Sequence, residues 1–148
     1  MPGTTLRGSR SAAENIIPGP TNSPEIVERA LPALAGKIAA MALNVPVQDG
    51  SNVDLVVFLS KEATAAEINA ALSAAAETST VLSFTDEPIV SSDIIGNSFS
   101  ATVDGLTTLV IGGTMAKLVI WYDNGWGYAA RVVELIEKMA AFDRKEVK

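Results

Sequence analysis

Neither histidine nor cysteine occurs in the 148 residues, which removes most familiar chemistry. A thiolate nucleophile, a disulfide, a Cys or His zinc site, a Ser-His-Asp triad and imidazole acid/base catalysis all need side chains this chain does not hold. Ser91-Ser92-Asp93 offers hydroxyls, but with no histidine and no adjacent lysine there is no base to activate them. No catalytic residue and no metal ligand are therefore assigned. Thr21 stands before a helix start, where free amides can hold a phosphate weakly, although plain capping is the simpler use. Trp121, Trp126 and Tyr128 could stack on a ring ligand. In a chain with 5% aromatic residues, packing into the core is the better use of them. Asn124, within Tyr122-Asp123-Asn124-Gly125, reads as a helix-entry or turn residue.

The remaining bounds come from composition. There are 11 Lys and Arg against 17 Asp and Glu, a net charge of -6. Arg29, Lys37, Lys61, Lys117, Arg131 and Lys138 are scattered and form no stripe, so nucleic acid is not an expected partner. No apolar run approaches the roughly 18 to 20 residues that cross a bilayer, so no membrane partner is expected either. The opening residues MPGTTLRGSR have no apolar stretch behind their charges and do not read as a secretory leader. The expected compartment is cytoplasmic.

Those surfaces must be held by elements, and the pattern predicts an α+β domain. Residues 1–10 read as a loose arm, 11–142 as one domain without an internal boundary, and 143–148 as a charged tail. Asn22-Ser23-Pro24-Glu25 predicts a capped helix start running to about Leu34, with Pro32 bending its end. Lys37 to Val45 and Asn52 to Ser60 are two strand-length apolar runs either side of a turn, which suggests a strand pair, although the sequence does not fix the pairing partner. Thr64-Ala65-Ala66-Glu67 is a capping box opening a second helix that reaches about Ala76. Thr80 to Phe84 and Ile89 to Ser91 read as short extended pieces. Ser98 to Asp104, Thr107 to Ile111 and Lys117 to Tyr122 read as three more strands, split by Gly105 and by Gly112-Gly113. Val132, Val133, Ile136, Met139 and Ala140 share one face of a last helix from about Gly127 to Phe142. The total is a mixed, largely antiparallel sheet of five or more strands with about three helices on one face.

The segment from Val119 to Tyr128, Val-Ile-Trp-Tyr-Asp-Asn-Gly-Trp-Gly-Tyr, resembles the strand-to-helix signature of glyceraldehyde-3-phosphate dehydrogenase. Further matches fall in the family's order: Asn15-Ile16-Ile17-Pro18, Gly36-Lys37, Met41-Ala42, Val45-Pro46, Val53-Asp54-Leu55, Val90-Ser91-Ser92-Asp93 and Gly96-Asn97-Ser98 leading to Asp104. The resemblance spans about residues 10–142 and implies that enzyme's catalytic domain. It also implies a nucleophilic Cys and a base His, neither of which is present, and a Gly-x-Gly-x-x-Gly dinucleotide fingerprint, which is missing. Residue by residue, Asn124 matches the Asn that holds the nicotinamide carboxamide, Tyr128 the aromatic beside it, and Thr21 a phosphate-binding Thr. The family's substrate-binding Arg is replaced by Asn44, so the phosphate site loses its bidentate partner.

Against the family, Val56, Phe58, Phe99 and Ile120 look like polar or small positions turned apolar on an exposed sheet face. A patch that dry should be covered, and a second copy about a two-fold axis is the simplest cover. The sequence thus predicts an engineered, catalytically inactive derivative of the domain: not an enzyme, holding no cofactor, and self-associating as a homodimer. Two alternatives stand beside it. One is a small phosphate- or nucleotide-binding module; the other is a dehydrogenase subunit completed by a domain in trans.

Overall fold

The computed structural model describes residues 6–146, with side chains through residue 143. Residues 1–5 of the expected arm and 147–148 of the expected tail lie outside the described residues. Where the sequence gives no boundary, the contacts gather into two compact units, Met1–Gln48 and Asp49–Lys148.

In the first unit, strand β1 (Ile17–Gly19) pairs antiparallel with β2 (Ala42–Asn44). Between them runs helix α1 (Ser23–Ala30), then a 3₁₀ turn over Pro32–Leu34. Pro24 sits in the first turn of α1, where its missing N–H costs nothing. Asn22 makes no side-chain cap bond; Thr21 does that work, its hydroxyl oxygen accepting from the Ser23 amide at 3.2 Å. The helix ends before Pro32 instead of reaching Leu34, as the ring's lost donor requires. Residues 37–45 do not pair with residues 52–60, which is a correction to the expected strand pair: β2 turns back to β1.

The second unit holds a four-stranded sheet in the order β3-β6-β5-β4, made of β3 (Ser51–Phe58), β6 (Met115–Tyr122), β5 (Ala101–Ile111) and β4 (Leu82–Thr85). Only the β4–β5 pair is parallel. With the two-stranded sheet apart, no sheet of five or more strands forms among the described residues. Residues 101–111, expected to be divided between two strands, make one strand with a bulge between Asp104 and Leu109. Gly105 does not end the strand because side chains replace the lost ladder bonds. The Thr107 hydroxyl donates to the Asp104 carbonyl and accepts from the Val119 amide, and the Asn69 amide donates to the Gly105 carbonyl at 2.8 Å.

Helix α2 (Ala65–Glu77) carries the expected capping box in full, with Thr64 and Glu67 exchanging bonds. Its Ile68 and Leu72 cover a core of Val103, Ala116 and Leu118, joined by Leu82, Phe84, Val110, Val57 and Ile120. Helix α3 (Asn124–Glu146) starts three residues before the expected Gly127 and continues past Phe142 through the expected tail to Glu146. The domain is α+β, with a mixed, largely antiparallel main sheet.

Candidate functional site

The junction between β6 and α3 is built by Asp123, which is 4% exposed. Its carboxylate accepts the Trp126 amide at 2.8 Å, capping the helix, and the Gly96 amide at 2.8 Å, holding the preceding loop. Those two bonds hold its carboxyl below the usual range for an aspartate, against the opposing cost of burial. Gly127 allows the helix to approach that loop, since a Cβ there would stand 3.2 Å from the Phe99 carbonyl oxygen. One turn on, Arg131 donates to the Ser100 hydroxyl at 3.0 Å and pairs with Glu134. The first two turns of α3 are thereby pinned against residues 96–100.

That pinning leaves the other side of the first turn open. Asn124 and Tyr128 stand one helical turn apart and exposed, Tyr128 by 71%. Trp126 is exposed as well, so the core packing expected for Trp126 and Tyr128 does not occur. Trp121 instead lies on the sheet and donates its indole N–H to Asp104 at 3.1 Å. The exposed Asn124 carboxamide can donate and accept at once, which is what the family resemblance asks of an Asn that would hold a nicotinamide carboxamide.

Thr21 fits an anion poorly. Its hydroxyl is shared with the Ser23 hydroxyl at 2.8 Å and already accepts the Ser23 amide. Asn44, in β2, brings no cation. Ser91-Ser92-Asp93 forms a 3₁₀ turn in which the Asp93 carboxylate holds the Val90 amide at 2.7 Å, a structural use. No group of three or more carboxylates able to hold a metal ion occurs among the described residues.

The four proposed sheet-face residues do not share a face. In β3 and β6 the side facing away from α2 carries Val56 and Phe58, the latter 82% exposed. Ile120 packs on the opposite side, against the core. Phe99 is half-buried in the loop before β5. Leu109 and Ile111 join the open face instead, both more than half exposed. The bulge reverses the alternation of β5, so periodicity alone does not find them. Asp123 escapes a reading by motif because the polar residue that follows it, Asn124, carries the family resemblance.

A catalytic-type α+β domain with a strand running through a buried aspartate into a pinned helix defines the class. Residues 1–124 match the family model described as glyceraldehyde 3-phosphate dehydrogenase, C-terminal domain, and the chain belongs to that family. The glyceraldehyde-3-phosphate dehydrogenase of Geobacillus stearothermophilus is 48% identical over 143 residues, 95% of this chain and 43% of that relative. Glyceraldehyde-3-phosphate dehydrogenase 2 of Streptomyces avermitilis is 48% identical over 137 residues, 91% of the chain and 41% of its own length. The cytosolic enzyme of Pinus sylvestris is 47% identical over 137 residues, covering 91% and 40%. The chain spans less than half the length of these relatives. The expectation that it is no enzyme is overturned, because the family and its named members are dehydrogenases. The absence of Cys and His describes these 148 residues, a portion of such a protein's length, and does not decide activity. No described helix is long and apolar enough to cross a membrane.

Proposed function

We propose that this chain supplies the C-terminal catalytic-domain portion of a cytosolic glyceraldehyde-3-phosphate dehydrogenase, completed by residues outside these 148. The observation that carries it is the junction at Asp123, which spends a buried carboxylate and two backbone amides on presenting Asn124 and Tyr128 outward. Asn124 would orient a nicotinamide by its carboxamide, and Tyr128 would flank the ring. The cofactor, when bound, supplies the hydride acceptor. The thiolate and the imidazole base that the family uses for aldehyde oxidation come from the complementary portion, since these 148 residues hold neither cysteine nor histidine. Mixing the chain with the unmatched portion of the Geobacillus stearothermophilus enzyme tests this. Glyceraldehyde-3-phosphate-dependent reduction of the cofactor should arise and should weaken on Asn124→Ala. No activity from a co-eluting pair would contradict it.

The open sheet face supports a second property. Val56 and Phe58 of β3 and Leu109 and Ile111 of β5 expose apolar side chains on one side of the sheet, on either side of the Asp54–Lys117 ion pair, and a second copy related by a two-fold axis would cover them by the same patch on both sides. Phe58→Glu should abolish that stacking, read as a fall in molar mass by light scattering. An unchanged mass would remove the face as a contact surface.

A further inference from the structure

We propose that Asn124 and Gly125 form a self-modification site, at which the Gly125 backbone nitrogen closes on the Asn124 carboxamide and leaves aspartate or isoaspartate in its place. The nitrogen gives its proton to solvent base and bonds to Cγ, while the Cγ–Nδ2 bond breaks and the side-chain nitrogen leaves as ammonia. Water then opens the succinimide ring at either carbonyl. Opening at Cγ gives aspartate; opening at the backbone carbonyl gives isoaspartate, in which the chain runs through the former side chain. Water is consumed and ammonia released, with no oxidant or reductant.

Sequence and position single out this pair. Of the seven asparagines, only Asn124 is followed by glycine, whose missing Cβ leaves the nitrogen open to the carboxamide. Asn44 and Asn52 precede valines, which shield that approach. Asn97 precedes a serine, but its side-chain oxygen is held by the Phe99 amide at 2.8 Å. Helices usually protect an asparagine by locking the following amide, and here that lock is weak. Gly125 lies in the first turn of α3, where its N–H has no intrahelical partner. The Asp123 carboxylate stands beside it, with its main bonds directed to Trp126 and Gly96. Gly125 and Gly127 each disfavour helix by about 1 kcal/mol, so the turn opens at small cost. Asn124 and Gly125 are both exposed to the water that completes the reaction.

The consequence rests on the reading of Asn124 as the nicotinamide contact. A carboxamide donates and accepts, whereas a carboxylate only accepts. Conversion therefore removes the donor and sets a second negative charge beside Asp123. Isoaspartate also adds a backbone atom at the first residue of α3, which breaks the one-turn spacing of Asn124 and Tyr128.

Incubating the full chain at mildly alkaline pH and digesting it with trypsin isolates residues 118–131, in which Asn124 is the only asparagine. Mass spectrometry should show the amide-to-acid gain in that peptide, resolved by chromatography into aspartate and isoaspartate forms, at a rate that rises with pH. It should outpace conversion of Asn22 and Asn97 by about tenfold or more, and Gly125→Ala should slow it by a similar factor. Circular dichroism confirms folding, and chain unfolded in urea serves as the reference. Conversion in urea with none in the folded chain, an unchanged rate in Gly125→Ala, or no isoaspartate would overturn the proposal. Turnover with the complementary portion should fall in step with conversion and be low from the outset in Asn124→Asp. Conversion with turnover unchanged would contradict the cofactor role of Asn124 and leave the modification standing.

Discussion

Asp123 does at one position what two separate residues often do: it starts a helix and fixes the loop beside it. Its carboxyl is held below the usual range by the Trp126 and Gly96 amides. A depressed folded-state value means the stabilisation is present above the unfolded carboxyl value, about 4, and is lost as pH falls through the folded one. Asp123→Asn should therefore unfold at a lower temperature than the parent at neutral pH, with the gap closing below about pH 4 in a calorimetric series. A gap constant across pH would assign the loss to shape instead of charge. Gly50 is a second single-residue constraint. Its φ is +83°, and a Cβ would fall on the Ser91 carbonyl oxygen. Gly50→Ala should cost more than about 1 kcal/mol in denaturant titration. In the sequence Gly50 looks like an ordinary turn residue, because the carbonyl it must clear is some forty residues away in the chain.

Elements whose cause is local are legible in the sequence, and those whose cause is distant are not. The capping box of α2 sits where Thr64 and Glu67 place it, since both bonds close within one turn. Thr64→Ala should lower stability by about 1 kcal/mol, measured as a shift in the urea midpoint at unchanged slope. Periodicity places the start of α3 too late because Gly125 and Gly127 each disfavour helix by about 1 kcal/mol. What offsets them is tertiary: the Asp123 cap and the close approach of Gly127 to Phe99. Strand β5 reads as two pieces at Gly105 for the same reason, since Thr107 and Asn69 repair its ladder from the side. Strands β1 and β2 are three residues each and meet across α1, a pairing that periodicity in so short a run does not encode.

At the scale of the molecule, the core of the second unit is small. Val103, Ala116 and Leu118 are its buried centre, so Leu118→Ala should cost about 2 to 5 kcal/mol by the loss of transfer energy and the cavity left behind. The far half of α3 shows the same economy of burial: Val133, Leu135, Ile136, Met139 and Phe142 are all more than half exposed. The family is legible from the run Val119 to Tyr128, because a strand, a buried cap and an outward pair of side chains need those residues together. Activity is not legible in the same way. Missing Cys and His side chains look like chemistry lost, yet the chain matches less than half of its relatives' length. The decisive measurement is cofactor reduction by this chain mixed with the unmatched portion of the Geobacillus stearothermophilus enzyme, glyceraldehyde-3-phosphate being the substrate. Turnover from the mixture, none from the chain by itself, and weaker turnover with Asn124→Ala are the predicted results. Turnover by the 148 residues alone, or a stable complex without any, would contradict the account.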